Sequence, residues 1–150
     1  MKKILLMICL LGITSIGNAQ ILKPVKWSYA VKKLNVSEVM IYMKAVMESG
    51  WHIYGDSKKA GAPSKTSFTF KPSADYKLVG PVITSKSTVK YEAVIGMSVA
   101  FFEREATFLQ KISLKNPNTK SISVLIEYMT CNNEKCLPPE ELNLTIPLDN

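Results

Sequence analysis

Of the chain's three cysteines, two stand close together in Cys131-Asn132-Asn133-Glu134-Lys135-Cys136. A disulfide needs Cα atoms about 4.4 to 6.8 Å apart, which a short turn between two strands provides. Closing so small a ring is worth only about 2 kcal/mol on the loop-entropy argument, so the pair would be a weak staple. Three chemistries fit these residues. A structural bridge is the ordinary outcome for two cysteines in an exported domain; a dithiol can instead exchange with other disulfides; and two thiolates can begin a zinc site. Zinc would need further ligands, and His52 is the only histidine in the chain. Between Trp51 and Ile53, His52 reads as packed or surface rather than as a ligand.

Other reactive arrangements are missing their parts. There is no phosphate-binding glycine loop, no Gly-x-Ser-x-Gly elbow and no His-Glu-x-x-His pair, which removes the common nucleotide and hydrolase chemistries. Cysteine-nucleophile hydrolysis would have His52 as its sole imidazole base. Glu103 and Glu105 flank Arg104 on what reads as one strand, a surface charge ladder rather than an acid–base pair.

The elements that must position the cysteines are strands. Trp27, Tyr29 and Val31 alternate with Lys26, Ser28 and Lys32, and Ile122, Val124, Ile126 and Tyr128 alternate with polar neighbours, the signature of half-buried strands. Shorter candidates cover residues 51–54, 66–70, 76–79, 98–101, 106–113 and 141–147. Residues 38–47 fit both a helix face and a strand; the period of two in the rest of the chain favours strand. Turn signals separate these runs, among them Gly80-Pro81 and Asn116-Pro117-Asn118. The cysteines then flank a loop between a strand ending near Met129 and one starting near Glu141. Short strands at this spacing predict an all-β sandwich or barrel.

Length and charge narrow the context. The 150 residues are 47% hydrophobic and 21% charged, with 18 Lys and one Arg against 12 acids, a globular composition sufficient for one domain with one core. Lys2 and Lys3 precede an apolar run from Ile4 to Ile13, and Gly17-Asn18-Ala19 supplies small residues for cleavage, so residues 1–19 read as a signal peptide and 20–150 as the mature domain. A run of about ten residues is too short for a permanent anchor, which needs about 20. Cys9 lies within this run and outside the functional account. Without Lys2 and Lys3 the net charge falls from +7 to +5, carried by scattered lysines, and no nucleic-acid partner is expected.

The segment Tyr128-Met129-Thr130-Cys131, with Cys136-Leu137-Pro138-Pro139-Glu140, resembles the end of the N-terminal periplasmic domain of the thiol:disulfide interchange protein DsbD family. Gly50-Trp51-His52-Ile53-Tyr54 is similar to that family's Gly-Trp strand, and residues 91–108 to its cap loop and following strand. The resemblance implies an immunoglobulin-like β-sandwich of about seven to nine antiparallel strands, monomeric and periplasmic, with no cofactor. It implies further that Cys136 attacks a partner and Cys131 resolves the mixed disulfide. The cap would lie in Glu92, Ala93, Val94, Ile95 and Gly96, with Val94 or Ile95 as the lid.

The chain departs from the family pattern in three respects. Four residues rather than five separate the cysteines, the cap is aliphatic rather than aromatic, and the transmembrane and thioredoxin-like domains have no counterpart in these 150 residues. The expected partners are therefore a separate membrane or thioredoxin-like thiol reductant as donor and exported disulfide-bearing proteins as acceptors. The alternative is a non-enzymatic β-sandwich binding module in which the bridge pins a hairpin.

Overall fold

The computed structural model describes residues 22–58 and 60–148. The expected signal peptide, including Cys9, lies outside these residues, as does Lys59. The described residues contain eleven strands and no helix. One four-stranded antiparallel sheet has the order β1-β2-β8-β5, built from β1 (Val25–Asn35), β2 (Glu38–Met47), β5 (Tyr76–Thr84) and β8 (Glu105–Leu114). A second, β10-β3-β7-β6, joins β3 (His52–Tyr54), β6 (Thr88–Glu92), β7 (Met97–Glu103) and β10 (Thr130–Cys131). A third, β11-β9-β4, holds β4 (Ser67–Phe70), β9 (Ser121–Tyr128) and β11 (Glu140–Pro147).

Alternation explains how the sheets pack. In β2, Val39, Ile41, Met43, Ala45 and Met47 are all buried, every second residue facing one way. Ile122, Val124, Ile126 and Tyr128 do the same in β9. These two faces meet Phe102, Ala106, Phe108, Ile112 and Ile146 in a single apolar core fed by all three sheets. The fold is thus the expected all-β sandwich, and residues 38–47 are a strand. The strand number exceeds seven to nine because pieces as short as β3 and β10, with three and two residues, pair as separate ladders.

Two local expectations are corrected. Gly80-Pro81 does not end a strand: β5 runs through it to Thr84, with a register shift between Val79 and Ile83. β5 is an edge strand, where a proline without an N–H breaks no ladder on its outer side, and Gly80 takes φ +71° at the bulge. The buried Gln110 amide donates to the carbonyls of Val79 and Gly80. Likewise, Glu103 and Glu105 do not share a strand. Arg104, at φ +64°, is the one residue between β7 and β8, where the chain passes from the second sheet to the first. Glu103 pairs with Lys90 and Glu105 with Lys44, both exposed.

Candidate functional site

The strand that delivers the cysteines is β9 with its continuation β10. Tyr128 and Thr130 face the core side, so period two sends Met129 and Cys131 to the opposite face of the second sheet. There Thr130 pairs with Ile53 and Cys131 with His52. Cys131 is bonded to Cys136, their Cα atoms 4.0 Å apart, and the two also pair as a single antiparallel bridge. The intervening turn is held by its own asparagine. Asn132 Oδ1 accepts from the backbone N–H groups of Glu134 (3.0 Å) and Lys135 (2.8 Å), while Leu137 N–H donates to the Thr130 carbonyl (2.8 Å).

The two sulfurs differ in their surroundings. Cys131 is fully buried in a small cluster with Tyr54, Val99 and Phe101, whereas Cys136 lies only partly buried at its margin. The Tyr54 hydroxyl is 3.8 Å from Cys136 Sγ. Burial and then the nearby Glu92 push the Tyr54 phenol up to about 12, so it stays protonated at neutral pH and can donate to a thiolate. Sequence reading gave Tyr54 no role, although its place two residues from His52 fixes both on one face.

Of the expected cap, 92–96, Glu92 ends β6 and residues 93–96 form the turn to β7. Gly96 N–H donates to the Glu92 carbonyl (2.9 Å), and Gly96 takes φ +69°, a conformation that suits glycine. Ile95 packs on the cluster that contains both cysteines, while Val94 is 41% exposed and Ala93 is exposed. Glu92 points inward: its Oε2 lies 3.0 Å from His52 Nε2, both side chains nearly inaccessible. The histidine is charged only when protonated, and its Nε2 makes no aligned hydrogen bond. The His52 ring sits 4.7 Å from that of Phe101 and edge-on to that of Tyr54 at 5.3 Å. His52 is therefore packed, as the sequence suggested. Among the described residues no group of three or more His, Cys, Asp or Glu gathers as a metal site, so the zinc reading finds no further ligands there.

An all-β sandwich with a short-loop disulfide at a strand end, one sulfur buried and the other at the surface of an apolar cluster, defines a class of thiol–disulfide interchange domains. The chain belongs to the family described as "Thiol:disulfide interchange protein DsbD, N-terminal", which matches residues 18–147. Solved structures agree in fold. The N-terminal periplasmic domain of ScsB from Proteus mirabilis superposes with a TM-score of 0.65 at 18% identity, over 85% of this chain and 48% of that one. The chain thus spans about half the length of that relative. The reduced DsbD N-terminal domain of Neisseria meningitidis gives 0.55 at 17% identity, over 85% and 90% of the two chains. A complex of the DsbD and PilB N-terminal domains from the same organism gives 0.54 at 15%, over 84% and 87%. No curated protein sequence matches significantly.

Proposed function

We propose that the protein is an exported, periplasmic interchange domain, residues 20–150 following a signal peptide, that relays reducing equivalents through Cys131 and Cys136. The observation that carries this reading is the asymmetry of the bridge, with Cys131 at 0% exposure and Cys136 at the cluster margin beside Tyr54. An incoming sulfur meets Cys136 first. In the reduced domain, the Cys136 thiolate attacks one sulfur of a partner disulfide; the partner's other sulfur leaves as a thiolate and takes up a proton. Cys131, deprotonated, then attacks Cys136 Sγ. The Cys131–Cys136 bond forms, the mixed disulfide breaks, and the partner departs as a dithiol carrying the electron pair. A dithiol donor returns the domain to its reduced state by the reverse sequence.

The donor would be a membrane or thioredoxin-like reductant and the acceptors exported proteins bearing disulfides. That a similar domain is solved in complex with the PilB N-terminal domain supports a protein as partner. Residues 92–96 would be the cap, with Ile95 rather than Val94 as its lid, since Ile95 is the one against the cysteine cluster.

Replacing Cys136 with Ser should abolish transfer to a protein disulfide, and Cys131→Ser should accumulate a mixed disulfide visible on a non-reducing gel. Full activity in both variants would overturn the proposal. The reduction potential separates it from a binding module with a structural bridge. Exchange proteins lie above about −270 mV and structural bridges below about −300 mV.

A further inference from the structure

The two outer faces of the sandwich are unlike. On the third sheet, β9 turns Ser121, Ser123, Leu125 and Glu127 outward, and register sets Glu141, Asn143 and Thr145 of β11 beside the last three. That face is polar, with two carboxylates and no cation on its strands, the ordinary build of a sheet with one wet side. The first sheet differs. Register carries one apolar row across all four of its strands: Ala30 beside Tyr42, Tyr42 beside Leu109, and Leu109 beside Ile83. Ile83 is 59% exposed, and Met40 and Val79 stand in the next row. β2 is therefore apolar on both sides, although its outer residues reach solvent. The same face gathers lysines that lie scattered in the sequence. Lys26, Lys32, Lys44, Lys77 and Lys111 share it with Glu38 and Glu105, which leaves three positive charges in excess. Lys111 and Lys44 take the two glutamates, each at 2.7 Å. The excess thus falls on Lys26 and Lys32 of β1 and Lys77 of β5, exposed on the two edge strands that border the apolar row.

We propose that the outer face of the first sheet is a landing surface for a phospholipid layer with anionic headgroups. Lys26, Lys32 and Lys77 supply the attraction, and the row through Tyr42, Leu109 and Ile83 rests at headgroup level between them. An exposed apolar patch rimmed by polar groups marks either a protein or a membrane contact, and the chemistry of the rim decides between them. Protein interfaces are poor in lysine and rich in arginine, whose rigid fork holds a partner group in one place. Every cation on this face is a lysine, a point charge on a flexible stem. Such charges suit a fluid layer whose headgroups keep no fixed positions. The ring and hydroxyl of Tyr42 suit the same boundary, apolar on one side and wet on the other. One lysine near an anionic surface is worth about fivefold in partitioning, so three make a weak, reversible attachment. Salt removes it, because the screening length falls from about 8 Å at physiological strength to about 3 Å at 1 M. The inference goes beyond the interchange reading and needs neither cysteine, since the pair lies on the second sheet, off this face.

The test is sedimentation of the exported protein with vesicles of phosphatidylcholine, alone or mixed with an equal part of phosphatidylglycerol. At low salt the mixed vesicles should bind it at least about tenfold better than the neutral ones, and 1 M salt should abolish the difference. Joint replacement Lys26→Gln and Lys32→Gln should lower partitioning by about 25-fold, two lysines at about fivefold each. Ile83→Ser should lower it by about threefold. The control pair, Lys71→Gln with Lys120→Gln, removes the same charge from exposed lysines that adjoin the third sheet, and should change partitioning by less than about twofold. Equal losses in the two pairs would trace the binding to net charge and overturn the proposal, as would equal binding to both kinds of vesicle. Absence of binding to the mixed vesicles at low salt overturns it too; if the Lys26 and Lys32 replacements then slow exchange with a soluble thioredoxin-like donor, the face takes a protein instead. A protein that binds the mixed vesicles yet exchanges no disulfide counts against the interchange reading alone.

Discussion

Ile53 and His52 are neighbours in β3, yet they belong to different regions of the molecule. Ile53, with Phe102 of β7, faces the main core and is covered by the long strands of the first and third sheets. His52, Tyr54 and Phe101 face the other way and are also buried, but beside turns and a loop, those carrying Ile95, Cys136 and Ala62, rather than under another sheet. An open sheet usually shows water a polar outer face. At β3 both faces are buried, and what differs is the cover. A face covered by a packed sheet is uncovered only by unfolding, whereas one covered by turns and a loop can open locally at a fraction of the global free energy. The contrast separates stability from reactivity within a single three-residue strand.

The largest effect should come from the core side. Phe108 stacks within 4.7 Å of Phe68, 5.4 Å of Phe102 and 5.8 Å of Trp27 between ring centroids, so Phe108→Ala should cost about 3–5 kcal/mol in urea unfolding. A loss near 1 kcal/mol would dissolve the distinction between the faces. On the outer face, Tyr54→Phe removes one hydroxyl beside Cys136 while keeping the ring. Exchange at Cys136 should slow by about fivefold, with stability changing by less than about 1 kcal/mol. Equal effects on rate and stability would make Tyr54 a packing residue. The smallest effect should be at Lys44, paired with Glu105 at 2.7 Å but with 43% and 63% of the two side chains exposed. Lys44→Ala should change stability by about 0.5 kcal/mol or less, and still less in high salt.

The core side was the legible one. In β9 the inward Ile122, Val124, Ile126 and Tyr128 alternate with Ser121, Ser123 and Glu127, a local pattern, whereas β2, with Met40, Tyr42 and Val46 turned outward, was a strand only by the period of two in the rest of the chain. The outer face was read only in part. Cys131 and Cys136 declare themselves by type and spacing, and the segment 92–96 by resemblance. β6 escaped notice because Thr88, Val89, Lys90 and Tyr91 are all exposed on an edge strand, leaving no buried set to mark a period. The His52–Glu92 contact joins residues forty positions apart through the registers His52–Glu103 and Glu92–Met97. No local pattern encodes such a pairing. Gly80-Pro81 misled for a different reason: its turn chemistry is genuine, but an edge strand can absorb it as a bulge.

The Asn132 turn has a further consequence. Its backbone is closed by hydrogen bonds from Asn132 N–H to the Lys135 carbonyl and from Leu137 N–H to that of Thr130, on either side of the sulfur bond. The sulfurs therefore join a hairpin that is already shut. A carrier that alternates between loaded and empty states must keep one shape in both, or each turnover would become a folding reaction with its own barrier. Under the proposed relay, with the ring confined to a single turn, oxidation and reduction would proceed as a change of cargo, and the rest of the sandwich need not register which state the pair is in.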